Sequence, residues 1–186
     1  MAYATLAQLT TYLGIASDDD DALLDACLNR VTEAIDAYCD RLFEAVTQTR
    51  HYQRDAVDGD VLYLDEDLLS VTTLTNGDDD GTAITSDSYW LMPRNRTPYD
   101  RIVLKSDTSW EFGTDGEIAV VGTWGYSTTP PADIEQACLR WAAYAYQQKD
   151  SQVFDVTAMP ALGQMIIPSG IPADVKQLLD RYRRLR

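Results

Sequence analysis

Residues 110–134 read WEFGTDGEIAVVGTWGYSTTPPADI, and within this stretch the chain changes from strand to helix. The apolar and β-branched run Glu117–Val121 predicts a strand that follows an Asp115-Gly116 turn. Pro130 and Pro131 then end the β pattern, and Pro131 suits the first turn of a helix. The stretch therefore predicts a chain that contains both strands and helices.

Upstream of this strand, from about Thr47, the sequence has the same β character. Short β-branched and aromatic runs alternate with Gly, Asn, Asp and Pro, which is typical of antiparallel hairpins. The predicted strands are Thr49–Gln53, Val61–Leu64, Ser70–Thr75, Ser88–Met92, Arg101–Leu104 and Glu117–Val121. We expect a small β domain inserted between helices.

Apolar residues at three- and four-residue steps predict helices on both sides of the β domain. A capping box, Thr5-x-x-Gln8, opens the first helix, and the acidic run Ser17–Asp21 suits the start of the second. Four helices are predicted: Leu6–Leu13, Leu24–Leu42, Pro131–Lys149, and a last one that begins after Pro172.

These elements predict an α+β fold, a small helical bundle with an inserted antiparallel β domain and a C-terminal helix. Residues 1–46 supply the N-terminal helices, 47–127 the β domain and 128–150 a further bundle helix. Residues 151–170 contain two Pro and two Gly and predict a long loop, a kind of segment that is usually functional or mobile. Residues 171–186 form the last helix and a basic tail.

The charge of the chain is strongly negative. Its 186 residues include 30 Asp and Glu against 15 Lys and Arg, a net charge of -15, and such a surface repels nucleic acid phosphates. No run approaches the roughly 18 to 20 apolar residues that a membrane span requires. The N-terminus has no secretory-signal pattern. We therefore expect a soluble protein that stays in the cytoplasm where it is made and has no membrane partner.

Few groups in the sequence could carry out catalysis. The one histidine, His51, falls in a predicted strand, and no nucleophile elbow, phosphate loop, dinucleotide fingerprint or zinc-protease helix is present. Cys27, Cys39 and Cys138 match no zinc spacing and fall on predicted helices, so we expect buried free thiols. We expect no enzyme and no cofactor.

One acidic turn places oxygen atoms at alternate positions. Asn76, Asp78, Asp80 and Asp87, with Gly81 at the sixth position, follow the spacing of an EF-hand calcium loop. Predicted strands rather than helices flank this turn, and Asp stands where that loop has a bidentate Glu. A polar hairpin tip is the preferred interpretation, and a calcium site is the weaker hypothesis.

The C-terminal end concentrates the cations Arg181, Arg183, Arg184 and Arg186. They predict either a docking segment or cations that complement the negative end of the last helix, and both interpretations stand. A basic end and an acidic body on identical chains could also attract subunits to one another. The aromatic residues, such as those at Tyr89-Trp90, are expected in the core or at a subunit interface.

Taken in order, these elements resemble the head-tail connector proteins of tailed bacteriophages, also called head-completion or adaptor proteins. The resemblance lies in residues 110–126, in Pro130-Pro-Ala-Asp-Ile134 with the alanine-rich helix that follows, and in Tyr3–Gly14 with the Asp-rich entry to the second helix. The order of the elements carries more weight than any single motif.

The resemblance implies a structural role in the virion neck, at the head-tail junction, with assembly in the host cytoplasm. Such proteins form a ring, usually twelve-fold, beneath the portal after DNA packaging, extend the channel, and offer a surface to the downstream neck or tail protein. DNA would pass through without specific binding, which an acidic lumen favours. The β domain is expected at the outer rim.

The resemblance also implies where partners bind. The C-terminal segment commonly engages the portal, and here the corresponding residues are Leu178, Leu179, Arg181, Tyr182, Arg183, Arg184 and Arg186. The long loop is the candidate for the channel or the downstream partner, through Phe154, Met159, Leu162, Met165 and Ile166. The rival hypothesis is an acidic β-rich binding module, calcium-dependent or glycan-binding, with helices for oligomerisation.

Overall fold

The computed structural model describes residues 2–77, 81–112, 117–148, 157–159, 164–166 and 170–184, and the statements below refer to these residues. The chain divides into two compact units. Met1–Asp40 and Pro130–Arg186 form the first, which we call the helical unit, and Arg41–Thr129 form the second, the sheet unit.

The helical unit contains α1 (Leu6–Leu13), α2 (Asp21–Cys39), α3 (Ala132–Gln147) and α4 (Ala173–Leu179). α3 packs against the other three helices. The capping box is present, since Gln8 N–H donates to Thr5 Oγ1 at 3.2 Å and Thr5 N–H donates to Gln8 Oε1 at 2.7 Å. The fully buried side chains of this unit include Leu9, Leu24, Leu28, Ile35, Ile134 and Leu179.

The sheet unit contains β1 (Val46–Gln53), β2 (Val57–Asp58), β3 (Val61–Asn76), β4 (Thr82–Ala83), β5 (Tyr89–Met92), β6 (Tyr99–Leu104) and β7 (Glu117–Trp124). They form one antiparallel sheet in the order β1-β7-β3-β6-β5, with β2 and β4 also paired to β3. The core of the unit includes Leu62, Leu68, Leu74, Ile102, Ile118 and Trp124. The α+β fold class predicted from the sequence is confirmed.

The longest strand differs from the prediction. The sequence indicated two strands, Val61–Leu64 and Ser70–Thr75, and the structure has one strand of 16 residues, β3. Its first part pairs with β6 and its second part with β7, and the register shifts within each of these two pairings. Of the acidic residues that interrupt the β pattern, Asp65 is exposed and pairs with Arg50, whereas Asp67 is buried and has its counter-charge in Arg41.

A further difference lies in the predicted long loop. Thr157–Met159 (β8) and Gln164–Ile166 (β9) pair as a two-stranded antiparallel hairpin. Strands of three residues are shorter than the runs from which an alternating pattern can be recognised, so they could not be predicted from the sequence. None of the helices in the described part of the chain is long and apolar enough to cross a membrane.

Candidate functional site

The predicted portal-binding segment begins on a helix that is anchored at its start. Trp141 on α3 donates its indole N–H to the carbonyl of Gly170 at 2.9 Å, just before α4. Asp174 in the first turn of α4 forms an ion pair with Arg140 on α3. On the inner side Val175 and Leu179 are buried. The helix is therefore part of the packed helical unit.

After α4 the chain returns to the C-terminal end of α2. Tyr38 donates its hydroxyl to Asp180 Oδ1 at 2.5 Å, and the Arg183 guanidinium lies 5.3 Å from the centroid of the Tyr38 ring. Arg184 N–H donates to the carbonyl of Cys39 at 2.8 Å, at a helix end where carbonyls lack an intrahelical partner. We call residues 180–184 the docked segment.

The contact with Asp180 changes the acidity of Tyr38. The hydrogen bond to the carboxylate favours the protonated phenol and raises the pKa of Tyr38 above its ordinary value, and the nearby Arg183 guanidinium opposes this shift. Tyr182 makes a similar bond, since its hydroxyl lies 3.1 Å from Asp133 Oδ2. The hydroxyls of Tyr38 and Tyr182 thus hold the docked segment against α2 and α3.

The residues predicted to bind the portal differ in their exposure. Leu179 is fully buried, so it supports the docked segment from inside the helical unit and is not available to a partner. Leu178, Tyr182 and Arg184 are half-buried. Arg181 and Arg183 are exposed, and they are the cations that the described part of this segment presents to solvent. Arg186 lies outside the described residues.

The predicted channel or partner residues fall on the β8–β9 hairpin. Met159 lies in β8, and Met165 and Ile166 lie in β9, with Met165 opposite Ala158 and Ile166 opposite Thr157. Phe154 and Leu162 lie outside the described residues. Their role toward the channel or a downstream protein stays a prediction.

The first residue of the candidate calcium turn, Asn76, makes structural hydrogen bonds with its side chain. Asn76 is buried, its side-chain amide donates to the carbonyl of Ser109 at 2.8 Å, and its Oδ1 accepts the N–H of Glu111 at 3.0 Å. Asp87 lies in a 3-10 turn, whereas Asp78 and Asp80 are outside the described residues. Among the described residues, no group of three or more His, Cys, Asp and Glu could hold a metal ion.

His51 lies on the surface of the sheet unit. It is exposed in β1, and its Nδ1 is 3.1 Å from Glu117 Oε2 on β7. The pair joins neighbouring strands, as expected for a surface strand residue. The cysteines are free: Cys39 and Cys138 are buried as predicted, and Cys27 is only half-buried. Burial raises the pKa of the Cys138 thiol.

The Gly-Tyr junction of the quoted stretch has a structural explanation. Gly125 has a φ of 139°, and an added Cβ would lie 3.0 Å from the carbonyl oxygen of Glu44. Tyr126 N–H donates to the carbonyl of Leu42 at 2.7 Å. Glycine is therefore required where the chain leaves the sheet unit beside its point of entry.

Sequence reasoning missed the ion pair at this junction. Arg41 Nη1 lies 2.6 Å from Asp67 Oδ2, and the Arg41 guanidinium lies 5.2 Å from the centroid of the Tyr126 ring. The Trp124-Gly-Tyr motif was visible in the sequence, but nothing local to Arg41 indicated its partner on β3.

The fold is shared with proteins of virion necks. The chain is similar to a structure described as the neck of an empty GTA particle computed with C6 symmetry, with 21% identity, a TM-score of 0.67, and coverage of 99% of this chain and 91% of that chain. It is similar to the neck of a native GTA particle computed with C12 symmetry, with 21% identity, a TM-score of 0.67, and coverage of 97% and 88%. At this identity the likeness concerns the fold.

The sequence then identifies the family. A family model described as head completion protein matches residues 3–185, and the chain belongs to the head completion protein family. Its role is structural, in head-to-tail assembly. Comparison with curated proteins finds no match.

Proposed function

We propose that this chain forms a twelve-fold ring in the neck of a virion, where it joins the portal of the DNA-filled head to the downstream neck or tail protein and extends the DNA channel. The observation that carries the proposal is the family match over residues 3–185. The C12 symmetry of one neck structure of the same fold supports the stoichiometry. The proposed role is structural and involves no bond chemistry and no cofactor.

The proposed portal contact is made by the docked segment. Its backbone is held by the bond from Arg184 N–H to Cys39, so the exposed Arg181 and Arg183 extend from a fixed base. A fixed base lowers the entropy lost when a guanidinium binds a carboxylate, and that pairing is charge-assisted and often bidentate.

The proposed channel role rests on charge. A net charge of -15 repels DNA phosphates, so DNA can slide along a lumen formed by such subunits without specific binding. The β8–β9 hairpin is the proposed element for the channel or the downstream partner.

The ring is tested by the mass of the purified protein over a concentration series, measured by light scattering and native mass spectrometry, with negative-stain images of large species. A closed species of about twelve subunits supports the ring, since cyclic closure needs complementary surfaces on each chain. An open, unlimited polymer would contradict it.

The portal contact is tested with Arg181→Glu/Arg183→Glu, which keeps the docked backbone and the buried Leu179. We expect normal melting but no attachment to portal-bearing heads in a pull-down. Arg30→Glu/Lys176→Glu is the control, because it changes the net charge equally at exposed positions elsewhere on the helical unit. If the Arg181→Glu/Arg183→Glu variant attaches as well as the control, the portal assignment is wrong.

A further inference from the structure

One face of the sheet, over β5, β6 and β3, carries apolar side chains at the surface. In one row, Val103 on β6 lies between Trp90 on β5 and Val61 on β3. In the next row, Arg101 on β6 lies between Met92 on β5 and Tyr63 on β3. Directly opposed residues of antiparallel strands share a face. We call the face formed by Val61, Tyr63, Trp90, Met92, Arg101 and Val103 the aromatic face. The alternate residues Leu62 and Ile102 are fully buried in the core.

The aromatic face is open to solvent. Tyr63 is 49% exposed and Trp90 is 39% exposed, and they are two of the five large hydrophobic residues that are exposed in the described part of the chain. Val61, Met92 and Val103 between them are half-buried. Contiguous exposed apolar surface of this kind marks an interaction site, and Trp, Tyr and Arg are the residues enriched where binding energy concentrates.

Cations surround the aromatic face. The Arg94 guanidinium lies 4.6 Å from the centroid of the Trp90 ring, and Lys105 Nζ lies 5.6 Å from the same centroid. Arg101 lies in the row beside them, 3.5 Å from the neighbouring carboxylate of Asp100. Asp58 is opposite Val61 at the far edge. An aromatic centre with three cations fits a partner surface that is acidic and partly apolar.

A surface of that chemistry exists on the helical unit of the same chain. The connection between α1 and α2 forms an open groove of about 310 Å³, lined by Leu6, Ala7, Thr10, Ile15, Ala16, Ser17, Asp18 and Asp21. Asp18 and Asp19 are exposed beside it, and Leu23 is 41% exposed in the first turns of α2. We call this surface the acidic α1–α2 turn. Leu6 and Ile15 give the groove an apolar part and Asp18 and Asp21 make it negative, so its chemistry complements the aromatic face.

We propose that the aromatic face of one copy binds the acidic α1–α2 turn of the next copy in the ring. The inference rests on the proposed ring and names its subunit contact. Because the two surfaces differ, the contact is heterologous, and its repetition about an axis gives a ring when the rotation between neighbouring copies closes. The apolar centre supplies affinity, and the opposite charges orient the approach and set the register.

The test uses charge reversal on each surface. Arg94→Glu/Arg101→Glu reverses one exposed cation beside the aromatic face and one half-buried cation within it, and Asp18→Lys/Asp19→Lys reverses exposed carboxylates of the acidic α1–α2 turn. Each variant alone places like charges against one another at every contact. In an equal mixture of the two variants, every contact can again join opposite charges in an alternating ring. The control is Arg30→Glu/Lys176→Glu, which matches the charge change of the first variant.

Self-association is measured by sedimentation velocity over a concentration series, with melting curves to establish that each variant is folded. We expect each reversal variant to associate at least about tenfold more weakly than the control, and the mixture to regain association. Added salt should weaken association of the unmodified chain. Trp90→Ala/Tyr63→Ala should weaken it without removing the salt dependence.

Three results would overturn the contact. If the folded reversal variants associate like the control, or if the mixture stays dissociated, the two surfaces do not bind each other, and the ring must use other surfaces. If the unmodified chain stays monomeric at all concentrations, the contact does not drive assembly. None of these results decides the portal contact, because attachment to heads is measured separately.

Discussion

The guanidinium of Arg41 lies 2.6 Å from the carboxylate of Asp67, and the side chains are 19% and 4% exposed. Arg41 begins the sheet unit and Asp67 lies in the middle of β3. The carbonyl of Asp67 also accepts the N–H of Gly125 at 2.7 Å, where the chain leaves the sheet. Asp67 therefore binds both Arg41, where the chain enters the sheet unit, and Gly125, where the chain leaves the sheet.

Asp67→Asn should destabilise the protein by about 3 kcal/mol, because it leaves the Arg41 guanidinium largely buried without its counter-charge. The measurement is urea unfolding followed by circular dichroism. Asp174→Asn is the control, since Asp174 pairs with Arg140, both side chains are almost half exposed, and exposed pairs contribute at most about 1 kcal/mol. Equal losses for the two variants would contradict a special role for the Arg41–Asp67 pair.

Leu179→Ala should cost about 2 to 5 kcal/mol, because it removes a fully buried side chain beneath the docked segment. Leu178→Ala, at the half-buried neighbouring position, should cost less. Limited proteolysis should cleave the C-terminal segment faster in the first variant than in the second. Equal stability and equal cleavage would mean that Leu179 does not hold this segment in place.

Under native conditions one thiol per chain should react with iodoacetamide. Cys27 is half-buried, whereas Cys39 and Cys138 are buried. Burial raises the pKa of Cys27, so even this reaction should be slow near neutral pH. Mass spectrometry counts the labels before and after denaturant, and Cys27→Ser should abolish native labelling. Rapid labelling of all three thiols would mean that the helical unit opens readily.

The stability of the protein should fall as the pH rises above about 10. Burial and a hydrogen bond to Asp65 raise the pKa of Tyr52 above its ordinary value, so the unfolded chain loses this proton before the folded chain does. The contribution is therefore complete below the ordinary pKa and is lost above it. In Tyr52→Phe the decline with pH should be shallower, as measured by urea unfolding. If the free energy of unfolding declines equally with pH in both proteins, Tyr52 is not the cause of the decline.

Calcium should leave the melting temperature unchanged. The one oxygen of the Asn76 side chain already accepts the Glu111 N–H at 3.0 Å, so a calcium ion would have to compete with this bond. Differential scanning fluorimetry with calcium and with magnesium measures the effect. A rise with calcium alone that Asp78→Ala/Asp80→Ala abolishes would favour the calcium-dependent binding module instead.

Much of the helical unit could be predicted because its signals are local. The Thr5–Gln8 capping box, the apolar spacing of α2 and the proline before α3 each act within a few residues, and each predicted helix is present. Strand signals located β1, β5, β6 and β7 for the same reason. The net charge of -15, which argues against a nucleic-acid-binding surface, is also a property of composition alone.

Only the tertiary structure decided how the carboxylates and the C-terminal arginines are used. The buried Asp67 of β3 has its counter-charge in Arg41, and the exposed Asp65 pairs with Arg50, both from other parts of the chain. Arg184 N–H donates to the carbonyl of Cys39, far away in sequence, and this bond turns a basic tail into a docked segment. The aromatic face likewise exists only through the register of three strands. The propensity of a segment for helix or strand is set by a few neighbouring residues. The cost of burying a charge is instead offset by partners that lie close only in the folded chain.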